Sequence, residues 1–97
     1  MIQILKVTGE SLSPFLLEGD FVVVSKIPFV LRKIKAGDIV VFRHPVYGTM
    51  IKKVERISPD GEEFFVLGTH LESTDSRQFG PLRRSQLTGK VIWHIGK

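Results

Sequence analysis

Serine and lysine are the two residue types in this chain whose placement can support covalent chemistry. Ser11 sits in Val7-Thr8-Gly9-Glu10-Ser11-Leu12-Ser13-Pro14-Phe15-Leu16, two residues after a glycine and three before a proline. Gly9 lets the backbone bend at little steric cost. Pro14 fixes its own φ and biases Ser13 toward an extended conformation. Such a turn can present Ser11 with its own N–H pointing outward, as an oxyanion hole requires. A plainer role fits the same residues, with Ser11 or Ser13 capping a helical turn near Phe15. A nucleophilic serine also needs a base, and Lys52 and Lys53 lie between Met50-Ile51 and Val54. An exposed lysine, with a pKa near ~10.4, is protonated at neutral pH. Burial among apolar neighbours disfavours that ammonium. Adjacent strand residues face opposite sides, so one of the two lysines points to the more buried face. A lysine there usually snorkels to water; one that stays is a candidate general base.

The histidines offer less. His44, His70 and His94 lack the close pair spacings of a zinc helix, and the chain has no cysteine, so neither a metal nor another cofactor is expected. A Ser11-His70-Asp75 triad is conceivable, but spacing does not single it out. Gly9 and Gly19 are isolated, and no Gly-Lys-Ser/Thr phosphate loop follows either.

The elements that must position these residues read as β. Strands are expected over 2–7, 21–24, 38–43, 50–57, 63–67 and 89–95, from alternating or β-branched apolar runs. Ser58-Pro59-Asp60-Gly61 is a turn, with Asp-Gly supplying the positive φ of a tight hairpin. Short helical turns fit only 13–17 and 83–87. Six strands at short spacing predict an all-β, mainly antiparallel sheet coiled into a barrel or small sandwich, with one or two helical turns. A weak repeat relates Glu18-Gly19-Asp20-Phe21 to Ala36-Gly37-Asp38-Ile39, and in both copies Gly-Asp reads as a turn entering a strand.

Ninety-seven residues leave room for one domain, 1–97. The composition, 42% hydrophobic and 25% charged with no low-complexity tract, excludes a disordered tail and a coiled coil. Fourteen Lys plus Arg against ten Asp plus Glu give a net charge of +4 and a pI near 9.7. The bases are scattered, with only pairs such as Lys52-Lys53 and Arg83-Arg84, so the charge reads as a solvated surface. The aromatics do not interleave with Lys and Arg as base stacking requires, and no nucleic-acid partner is expected. No window approaches the roughly 18–20 apolar residues of a membrane span, and no signal-peptide core is present.

Taken in order, the boxes become specific. Gly-x-Ser-Leu-x-Pro-x-Leu is followed by Glu-Gly-Asp-Phe-Val-Val-Val-x-Lys, Gly-Asp-Ile-Val-Val-Phe-x-x-Pro, Ile-Lys-Lys-Val and Gly-Thr-His-x-x-Ser-Thr-Asp-Ser-Arg-x-Phe-Gly-Pro. This series, from Val7 to about Val91, resembles the type I signal peptidases, the S26 family of Ser-Lys peptidases. The resemblance implies Ser11 as nucleophile, Lys52 as general base, Ser73 as the hydroxyl that orients the lysine, and Asp75 with Arg77 as a bracing pair. It also implies an oxyanion hole from the Ser11 N–H, with Gly9 beside it, and a pocket to which Leu12, Phe15 and Ile51 belong. As apolar β residues, these three are equally core candidates. Leu12 replaces the usual Met, Gly9 stands where many members carry a serine, and Thr69-His70 replaces the common Asp-Asn.

Set against signal peptidases, which carry a membrane anchor and a large inserted domain, this chain is expected to be a bare catalytic core. The bare catalytic core, with Arg43-His44-Pro45 before the lysine strand, looks like the nickel-type superoxide dismutase maturation proteases. That resemblance implies a cytoplasmic peptidase removing a leader from a nickel superoxide dismutase precursor. Two readings stand against it: a general leader peptidase peripheral on a membrane, and a catalytically silent basic β binding module.

Overall fold

Ile39-Val40-Val41-Phe42 is apolar without alternation because its strand is covered on both faces, the pattern of a central strand. The computed structural model describes residues 2–7, 18–68 and 74–96. These form strands β1 (Ile2–Lys6), β2 (Phe21–Ser25), β3 (Ile39–His44), β4 (Gly48–Ile57), β5 (Glu63–Leu67), β6 (Leu82–Arg83) and β7 (Leu87–Ile95). Two one-turn helices, α1 (Pro28–Leu31) and α2 (Ser76–Phe79), and a 3-10 turn at Arg84–Gln86 complete the described structure.

The strands make one antiparallel sheet in the order β1-β2-β7-β3-β4-β5-β6. The all-β expectation therefore holds, but the barrel does not close: β1 and β6 are opposite ends of the sheet. The seventh strand, β6, is a two-residue edge too short for any period-2 signal. The expected turn over 83–87 is present as the shorter 3-10 turn. Helix α1 begins at Pro28, whose ring suits the first turn, and was not anticipated. The helical turn expected over 13–17 lies outside the described residues.

Cross-strand pairs sort the core into two clusters. Val40 and Phe42 join Val54, Phe64, Val66 and Leu82, whereas Val41 joins Val7, Val22 and Val24. Both Gly-Asp turns are structural. Gly19 and Gly37 have φ of 92° and 97°, a region other residues enter at a cost. Buried Asp20 meets His94 Nε2 at 2.7 Å, and Asp38 accepts the Lys35 N–H and pairs with Lys90. Ser58 to Gly61 closes the β4–β5 hairpin as expected, the Gly61 N–H donating to the Ser58 carbonyl.

Candidate active site

Strand β4 decides between the two lysines. Lys52 pairs with Val40 of β3 and lies on the face shared by Met50 and Val54. Lys53 pairs with Ile39 and takes the opposite face. Lys52 is 3% exposed, while Lys53 is only partly covered. Burial is the main cause that lowers the Lys52 pKa; the nearby Asp75 charge acts in the opposite direction, and Arg77 adds to the lowering. Burial thus disfavours the charged form of the inward lysine.

Asp75 is 0% exposed and caps α2. Its Oδ1 accepts the Arg77 backbone N–H and Arg77 Nε, both at 3.0 Å. Its Oδ2 accepts the Gly68 N–H at 2.9 Å and Arg77 Nη2 at 2.8 Å. Burial opposes the carboxylate's charge, but Arg77 and the two backbone N–H groups more than offset it and hold the pKa below its ordinary value. The Gln78 side chain accepts the Asp75 N–H, completing a capping box. Ser76 Oγ accepts the buried Val66 N–H at 2.9 Å and ties α2 to β5. Asp75-Ser-Arg-Gln78 is a readable helix-start signature, and it is the signal that locates α2.

A cavity of about 480 Å³ opens beside Lys52, with Leu5, Val7, Val41, Ile51 and Thr74 among its walls. Ile51, expected at a substrate pocket, lines this cavity and also packs on the second core cluster. Tyr47 of the cavity wall lies outside every box quoted from the sequence, and Val41 and Thr74, though inside boxes, carried no role of their own there. Val7 donates to the Asp20 carbonyl and accepts from Gly19 N–H, so the chain before residue 8 and after residue 17 is tied together at the cavity.

Ser11, Gly9, Leu12, Phe15, His70 and Ser73 lie outside the described residues. His44 serves a turn, its Nδ1 accepting the Val46 and Tyr47 N–H groups, and His94 is engaged by Asp20. Among the described residues no group of three or more His, Cys, Asp or Glu could hold a metal ion. No described helix is long and apolar enough to cross a membrane.

The family model for signal peptidase, peptidase S26, matches residues 1–61, a span that includes the lysine strand. A search of curated proteins returns no match. With more than half of the chain matched and a buried lysine in the cavity wall, the chain belongs to the S26 signal peptidase family of serine peptidases.

Proposed function

We propose that the chain is an endopeptidase with a Ser11–Lys52 dyad that removes an N-terminal leader from a precursor protein. The observation that carries this reading is the burial of Lys52 in the wall of the cavity. Neutral Lys52 takes the Ser11 proton, and the alkoxide attacks the scissile carbonyl. Backbone N–H groups at Ser11 and Gly9 receive the oxyanion. Protonated Lys52 then delivers its proton to the leaving amine, and the acyl-enzyme remains. Water, deprotonated by the same lysine, hydrolyses the ester and regenerates Ser11. Ser73 orients the lysine, and Asp75 with Arg77 braces it. Leu12, Phe15 and Ile51 line the substrate pocket.

The substrate in this proposal is a nickel superoxide dismutase precursor, and the setting is the cytoplasm. The test is intact mass after mixing with that precursor, alongside the Ser11→Ala, Lys52→Ala and Lys53→Ala proteins. A single cut at the leader junction, lost in the first two variants and retained in the third, is the expected result. Loss in folded Lys53→Ala comparable to that in Lys52→Ala would overturn the choice of base.

One observation favours a leader peptidase working against a membrane. Register places Ile4, Val23 and Trp93 in one row and Lys6, Phe21 and Ile95 in the next, on one face. Ile4 is 63% and Trp93 67% exposed, an apolar area of the kind that marks contact surfaces. Cosedimentation with anionic vesicles, absent with neutral ones, would move the setting to the membrane surface.

A further inference from the structure

The β3–β4 turn builds an aromatic wall at the cavity that the dyad does not use. His44 pairs with Gly48 across the hairpin, leaving a three-residue loop, Pro45-Val46-Tyr47. Gly48 has φ of 77°, the left-handed position that ends such loops. Inside the loop, His44 Nδ1 accepts the Val46 N–H at 3.0 Å and the Tyr47 N–H at 3.3 Å. Two donors to Nδ1 leave the neutral ring's proton on Nε2. The His44 ring lies 4.8 Å from both the Tyr47 and Phe79 rings, and Phe79 in turn meets Phe42 of the core. Tyr47 is therefore held by two rings and a hydrogen bond, yet it is 53% exposed and lines the cavity. A fixed, half-exposed aromatic ring loses little conformational entropy when it takes a ligand.

Tyr47 is the last residue of the loop, immediately before β4 and five residues before Lys52, so the two lie at most about 17 Å apart at roughly 3.3–3.4 Å per residue. An extended peptide lying along β4 has the same rise, so Tyr47 meets a side chain within about five positions of the bond that is cut. We infer that Tyr47 is a specificity-determining residue, reading an aromatic or large aliphatic substrate side chain within that distance of the scissile bond. His44 is its positioning residue. The inference rests on the peptidase reading for its cleavage measurements, and its binding measurements are independent of that reading. An aromatic pair of this kind is worth about three- to tenfold in affinity.

Tyr47 is the only tyrosine in the chain, so 3-fluorotyrosine gives a single fluorine resonance. The probes are alanine-rich peptides around a fixed junction, with one phenylalanine walked from six residues before the bond to six after it. Binding is read in labelled Ser11→Ala protein and cleavage in the parent. The expected result is a resonance shift confined to one phenylalanine position, within about five of the junction. That peptide should exceed the all-alanine peptide about three- to tenfold in kcat/KM. Tyr47→Ala should bring this ratio to one, whereas Tyr47→Phe should keep it, which separates loss of the ring from loss of fold. A ratio that persists in Tyr47→Ala, or a resonance indifferent to phenylalanine position, overturns the inference. A position-dependent shift without any cleavage by the parent would sink the dyad and leave the subsite standing.

Discussion

Replacing Lys52 by methionine should stabilise the protein at neutral pH, and the gain should vanish as the pH rises. Lys52 is 3% exposed and its folded pKa lies below the ordinary 10.5, chiefly through burial. Between those two pKa values the unfolded chain binds a proton that the folded chain does not, so stability rises with pH across that window. Below the folded value the penalty is complete and constant; above 10.5 it is gone. The ceiling follows from the gap between the working pH and 10.5 at about 1.36 kcal/mol per unit. It stays under about 5 kcal/mol at pH 7 and under about 2 kcal/mol at pH 9. Methionine has a similar unbranched shape and no charge to desolvate, so it removes the penalty while filling the space between Val40 and Val54. Asp75 keeps its Arg77 partner in the variant, so no buried carboxylate is stranded. Urea unfolding of parent, Lys52→Met and Lys53→Met, followed by far-ultraviolet circular dichroism from pH 6 to 10, measures the effect. The expected outcome is a Lys52→Met advantage that falls with pH, with a limiting slope of about 1.4 kcal/mol per unit. A pH-independent difference, or the same slope in Lys53→Met, would refute the assignment of the inward lysine.

The same lowering predicts that kcat/KM on a cleaved precursor rises with pH and levels off below 10.5, because only neutral Lys52 accepts the Ser11 proton; a profile flat from pH 6 to 9 would count against a lysine base. Asp75→Ala removes the acceptor of four hydrogen bonds and should destabilise by about 3–5 kcal/mol in thermal or urea unfolding. In the parent, the depressed Asp75 pKa gives stability that is full above 3.8 and is lost as pH falls through the folded value, so Asp75→Ala should flatten part of the acid limb of an unfolding titration. Gly89→Ala would drive a methyl into Val24 Cγ1 and toward the Ser25 carbonyl where β7 pairs with β2, and should lower stability by about 1–3 kcal/mol as read by midpoint in urea.

The β content was legible because most strands are either alternating or unbrokenly apolar, and hydrophobic pattern follows burial. What escaped detection left no hydrophobic period, although the Asp75-to-Gln78 capping box was there to be read for α2. Strand β6 is two residues long, and α1 and α2 are four residues each, shorter than one helical period repeated twice. Register irregularities also hid part of the arrangement. The β4–β5 pairing shifts between Val54 and Arg56, so alternation read from Met50 onward assigns the wrong face beyond Val54, a consequence of a bulge that local sequence does not announce.

The lysines show the limit most clearly. Period-2 geometry guarantees that Lys52 and Lys53 face opposite ways, but not which is inside, because both flanks of the pair are apolar. That choice is made by partners distant in the chain. Val40 stands opposite Lys52, and Asp75, brought in by α2 and fixed by the Gly68 N–H, supplies the counter-charge. A buried lysine with only apolar neighbours would be driven out to water. One with a buried carboxylate close by, whose charge is shared with Arg77, can remain inside while still losing proton affinity. The lowered pKa therefore depends on contacts made across the sheet, and swapping the two lysine environments would require moving α2, not editing β4.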